Sequence, residues 1–145
     1  MSLQAEKAAS LFNSGFNCAQ SVLAVFCQKY GLNEDAALKL SSGLGGGFRF
    51  GEICGAVSGA TLVIGLKYGQ SVATDKVSKD TCNLKVVEFM NTFRIKSGSF
   101  LCREILGFDL SIKEEYEKAQ NLNLFKTTCV DMVKSSVMLL EDLGY

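Results

Sequence analysis

The chain has 145 residues, 48% of them hydrophobic, with Lys+Arg and Asp+Glu balanced at 15 each. That balance, with no basic stripe, excludes an electrostatic nucleic-acid binder, and the apolar content argues against disorder. The length suits a single domain, residues 1–145, with a sizeable core.

Apolar positions recur at helical spacing almost throughout, and no segment shows strand alternation. A first helix is predicted over 3–14, with Ala8, Leu11 and Phe12 on one face, stopping at Gly15. Asn17 is placed to cap a second, with Gln20 three residues later as in a capping box. This helix is expected to run to about Tyr30, with Cys18, Val22, Val25 and Phe26 inward, and to end at Gly31. Asn33 caps a third, from Glu34 to about Ser42, with acids in its first turn where the helix dipole favours them.

The stretch from Gly43 to Gly59, GLGGGFRFGEICGAVSG, follows. Its glycines free the backbone for left-handed conformations before a small-residue helix that carries Cys54 and runs to about Lys67. Gly55 and Gly59 stand four apart, share a face, and suit close approach of a neighbouring helix or a bound group. Gly46, Gly47, Gly55 and Gly59 are therefore candidates for contact with a cofactor. Nucleotide fingerprints fail on this turn. A dinucleotide motif counted from Gly43 meets Phe48 where glycine or alanine is needed, and a P-loop counted from Gly46 meets Glu52 and Ile53 after Gly51.

Residues 72–97 read as a long helix whose stripe includes Leu84, Val87, Met90 and Ile95. Ser99 caps a short helix from Phe100 to Leu106, and IKEEYEKAQ reads as an exposed helix or ordered loop. A last helix, about 124–142, carries Phe125, Cys129, Met132, Val133, Val137 and Leu140 on one side. The fold class is all-α, a bundle of about six to seven helices with a glycine-rich turn before its central small-residue helix.

Histidine is absent, which excludes Ser-His and Cys-His nucleophilic pairs and His-ligated zinc or haem. Six cysteines, at 18, 27, 54, 82, 102 and 129, are many for a reducing compartment, where reactive or metal-binding thiols are the usual alternative to structural disulfides. No C-x-x-C pair occurs, so any site must be assembled from separate helices. Cys18, Cys54 and Cys102 fall near predicted helix starts, where free amides favour thiolate, and Arg49 and Arg103 are near in sequence. Cys129 falls instead on an apolar stripe.

The order Cys18, then CGAVSG from Cys54 to Gly59, then Cys102 and Cys129, resembles the family of redox-active proteins named for the pattern C_GCAxxG_C_C. The resemblance spans nearly the whole chain. It implies that Cys18, Cys54, Cys102 and Cys129 form the shared set, that Cys27 and Cys82 are extras, and that the role is redox.

Three readings stand beside one another. In the first, two of the four thiols cycle between dithiol and disulfide with a redox partner, Cys54 attacking and Cys18 or Cys102 resolving. In the second, Cys18, Cys54, Cys102 and Cys129 hold an iron–sulfur cluster or zinc. In the third, the cysteines are core residues of an interaction module. The start, MSLQAEKAASLF, lacks a signal-peptide pattern, and the longest apolar run is shorter than a membrane span. A soluble, cytoplasmic protein is expected, with no membrane span and with exposed apolar faces compatible with a homodimer.

Overall fold

The computed structural model describes residues 2–145. Eight α-helices follow one another: α1 (Leu3–Ser14), α2 (Cys18–Ala24), α3 (Glu34–Leu40), α4 (Gly55–Tyr68), α5 (Lys76–Ser97), α6 (Cys102–Leu106), α7 (Lys113–Asn121) and α8 (Thr128–Asp142). The only strand-like pairing among the described residues is a single antiparallel bridge between Ile53 and Leu101. The expected all-α class is the one observed, and the IKEEYEKAQ segment is helical.

Local chemistry sets the helix boundaries. Ser2 caps α1, which ends at Gly15 in a positive-φ conformation. Asn17 and Gln20 form the reciprocal capping box at α2, and Asn33 caps α3. The second helix is shorter than the periodicity predicts, because α2 stops at Ala24 and a 3-10 turn, Cys27–Tyr30, carries the chain to the left-handed Gly31. The last helix starts later than predicted. Asn123 is in the left-handed region and the Thr127 hydroxyl donates to its carbonyl, so helical winding begins only at Thr128.

The main core packs α1, α2, α4, α5 and α8 together through Val22, Leu23, Val57, Ile64, Phe89 and Leu140. Burial of such side chains, each contributing about 1.5–3 kcal/mol, is the main favourable term. Helix α4 is central and buried along most of its length. Gly59 lets it meet α2 backbone to backbone, because a Cβ there would fall 2.7 Å from the Ala19 carbonyl oxygen. On its other side, the buried Ser136 hydroxyl of α8 donates to the Ala56 carbonyl at 2.7 Å.

The face of α5 differs from the expected one. Leu84, Val87 and Ile95 are exposed, at 70%, 55% and 82%, while Phe89 and Phe93 are buried. The helix carries apolar residues on two sides, and the side with the larger area to bury, a stacked phenylalanine pair with ring centroids 6.1 Å apart, faces the core. Met90, from the predicted stripe, packs at the edge of that core with Cys82 and Val86. No helix among the described residues is long and apolar enough to cross a membrane.

Candidate thiol site

A second, smaller cluster forms around Cys102, Leu106, Leu110, Ala119 and Cys129, under α6 and α7. Between it and the main core lies a cavity of about 580 Å³. Cys18, Cys54, Cys102 and Cys129 all line it. Cys27 and Cys82 do not line it: the first is buried in the main core, donating its thiol to the Ala24 carbonyl at 3.3 Å, and the second packs at that core's edge. All six cysteines are free thiols in this structure.

The four cysteines occupy equivalent places in the fold. Cys18 and Cys102 are the first residues of α2 and α6, Cys54 is the N-cap of α4, and Cys129 is the second residue of α8. Because α8 starts at Thr128, Cys129 joins the other three at a helix start, which the apolar stripe alone did not reveal. Two backbone hydrogen bonds join a second pair of segments. The Cys54 amide donates to the Phe100 carbonyl at 2.8 Å, and the Cys102 amide donates to the Glu52 carbonyl at 2.6 Å. Gly55 closes the gap to the next sulfur-bearing residue, since a Cβ at 55 would lie 3.0 Å from the Cys18 Cβ.

Of the four candidate glycines, Gly46 and Gly55 line the cavity and Gly47 and Gly59 do not. Gly46 has φ +64°, and its amide faces the Cys18 thiol. Gly47 serves the turn itself, where a Cβ would fall 2.4 Å from the Glu52 nitrogen. Phe48 and Arg49, which are not glycine, also have positive φ, 60° and 64°. That conformation costs an L-residue about 1–2 kcal/mol, and such strain tends to collect at functional positions.

The electrostatics depart from the expected helix-start effect. Burial pushes the Cys54 thiol up to about 12; the Cys18 charge acts in the same direction, and the Ala56 and Val57 amides oppose it without prevailing. Burial likewise pushes Cys102 up to about 12, helped by Cys54, Cys18 and Asp109. Cys18 is raised well above the ordinary thiol value, first by the Cys129 side chain as a hydrogen-bonding neighbour and then by burial, against its own amide and that of Gly46. Desolvation therefore outweighs the helix termini, and Cys54 is not a thiolate at neutral pH. Cys18 is the member common to these interactions: the Cys129 side chain acts on it, and its own charge acts on Cys54 and Cys102.

The two arginines do different things. Arg103 pairs with Glu52 at 2.9 Å and reaches the Gly51 carbonyl, bracing the turn. Arg49 lines the cavity with its guanidinium 4.8 Å from the Tyr116 ring centroid.

Four thiols are a suitable donor set for zinc or an iron–sulfur cluster. Here, however, they surround a cavity, and among the described residues no three His, Cys, Asp or Glu side chains are grouped so as to hold one ion. The donors fit a metal site; their arrangement does not.

A fold that sets four helix-start cysteines around one cavity belongs to the class of multi-thiol helical proteins. More particularly, the chain belongs to the family described as "Putative redox-active protein (C_GCAxxG_C_C)", whose model matches residues 16–143. No curated protein and no solved structure matches the chain.

Proposed function

We propose that this member of a redox-active family works by thiol–disulfide exchange, with Cys18 and Cys129 as the exchanging pair and Cys54 and Cys102 as flanking thiols. The observation that carries the reading is a cavity lined by all four cysteines, within which Cys129 is the side chain that acts most strongly on the Cys18 thiol. The role of first attacking thiol passes from Cys54 to Cys18, which is half-buried where Cys54 is 6% exposed.

The chemistry balances as follows. One protein thiol loses its proton and attacks a sulfur of a partner disulfide, forming a mixed disulfide and releasing one partner thiolate. The second protein thiol, deprotonated, attacks the protein sulfur of that mixed disulfide and releases the other partner thiolate. The two protons end on the two released thiols, and two electrons pass from the Cys18–Cys129 dithiol to the partner. Run backwards, the same steps reduce the protein.

Thiol counting in glutathione buffers of increasing oxidising strength tests this. Six thiols per chain should fall to four and return to six with dithiothreitol, and Cys18→Ala or Cys129→Ala should abolish the step. A change in stability in both variants with six thiols persisting in the wild type would instead favour an interaction module. Iron or zinc near one ion or cluster per chain after anaerobic purification, lost in Cys102→Ser, would restore the metal reading.

A further inference from the structure

The cavity is asymmetric in charge. The chain as a whole carries equal numbers of acidic and basic residues, yet among the described residues no aspartate or glutamate lines the cavity, while Arg49 and Lys126 do. Both cations are exposed, so they stand at its rim. Six ion pairs are formed among the described residues, and neither Arg49 nor Lys126 takes part in any of them. One carboxylate that influences these thiols, Asp109, acts on Cys102 from outside the lining and is held by the Ser111 amide and hydroxyl.

Arg49 is also fixed. Its backbone is in the left-handed region, preceded by three further positive-φ residues, Gly46, Gly47 and Phe48, with Gly51 shortly after it. Its side chain lies on Tyr116 and against Gly46, where a Cβ would come 3.4 Å from the Arg49 Cδ. A guanidinium held in this way, without a carboxylate partner, is ready to receive a planar anion. The volume, about 580 Å³, is within the roughly 300–1,000 Å³ of small-molecule sites and far below a protein-sized surface.

We propose that the partner disulfide is a low-molecular-weight anion, whose carboxylate or phosphate is held by Arg49 and Lys126 at the cavity rim while its sulfurs reach Cys18 and Cys129. This rests on the thiol-exchange reading and adds the substrate class. The overall reaction is that of an anionic disulfide, R–S–S–R, with the two protein thiols, giving the Cys18–Cys129 disulfide and two molecules of R–SH.

The test compares disulfides that differ mainly in charge. Reduced wild-type protein is mixed with dianionic 3,3′-dithiodipropionate, neutral bis(2-hydroxyethyl) disulfide, dicationic cystamine, and insulin as a protein disulfide. Each rate is divided by the rate of dithiothreitol with the same compound. The dianion should lead and cystamine should trail, with the advantage shrinking as salt is added. Arg49→Gln should slow the dianion about fivefold, the value of one exposed ion pair near 1 kcal/mol, and leave the neutral compound unchanged. Lys126→Gln, on a different segment, should act in the same direction, which guards against a folding defect in the first variant. Equal normalised rates, or an Arg49→Gln effect that is the same for all charges, would overturn the anionic class. Reaction with insulin alone would remove the small-molecule substrate and leave thiol exchange standing. No reaction with any of the four would remove both.

Discussion

Cys54 and Cys102, 48 positions apart in sequence, are tied by their own backbones. The amide of each donates into the segment of the other, at 2.8 and 2.6 Å, around the Ile53–Leu101 bridge. The position of these two sulfurs thus depends on main-chain hydrogen bonds and not on side-chain packing alone. The consequence is a rigid, desolvated pair.

That desolvation has a pH signature. Folded thiol values near 12 for Cys54 and Cys102 lie above the unfolded value of about 8.5, so the native state keeps protons that the unfolded chain has lost. The resulting stability is fully present below about pH 8.5 and is lost progressively as pH rises towards 12. Urea midpoints should therefore fall across the alkaline range, and less steeply in Cys54→Ala. A midpoint that is flat between pH 8.5 and 11 would contradict the burial of these thiols.

The raised Cys18 thiol also bears on the redox couple. A disulfide whose reduced form gains nothing from a Cys18 thiolate is a weaker oxidant than those of oxidases with strongly acidic cysteines. Equilibration against glutathione and dithiothreitol should place this couple on the reducing side of the glutathione pool. A strongly oxidising potential would mean that Cys18 ionises far more readily than its surroundings imply.

Two glycines of one helix should respond oppositely to alanine. Gly59→Ala puts a Cβ 2.7 Å from the Ala19 carbonyl oxygen and should destabilise by about 1–3 kcal/mol through overpacking. Gly65→Ala meets nothing within 4 Å and should stabilise by up to about 1 kcal/mol from helix propensity. Chemical denaturation of both variants checks the contrast. Similar effects of the same sign would contradict the close α2–α4 contact.

The two faces of α5 give a further contrast. Phe89→Ala removes a fully buried ring and should cost about 3–5 kcal/mol. Ile95→Lys changes a residue that is 82% exposed and should stay within about 0.5 kcal/mol of wild type. A large loss from Ile95→Lys would mean that this face is covered in solution, and sedimentation would then show by how much the assembly changes.

What the sequence revealed, and what it did not, follows from the range of the interactions concerned. Caps are local: the Asn17 side chain, its partner Gln20 and the stops at Gly15 and Gly31 are decided within a few residues, and they were legible. The stripe on α8 was legible for the same reason, since Val133, Val137 and Leu140 repeat on one face. The inward face of α5 was not, because either of its apolar sides satisfies the period and only the neighbours α4 and α8 choose between them. Cys129 at a helix start was hidden behind Asn123, whose left-handed backbone delays α8. The Cys54 ionisation was misread because amides at a helix start are visible in a sequence, whereas the depth at which they are buried is not. Arg49 drew notice by its nearness to Cys54 in sequence, but its place at the cavity depends on a turn in which two non-glycine residues adopt positive φ.

The central claim, that Cys18 and Cys129 form the working pair within a shared cavity, is tested most directly by disulfide mapping. The protein is oxidised in a glutathione buffer, quenched with acid, alkylated and digested for mass spectrometry. The account predicts a Cys18–Cys129 linkage, with Cys27 and Cys82 recovered as alkylated thiols. A linkage through Cys27 or Cys82, or six alkylated cysteines under conditions that oxidise dithiothreitol, would contradict it.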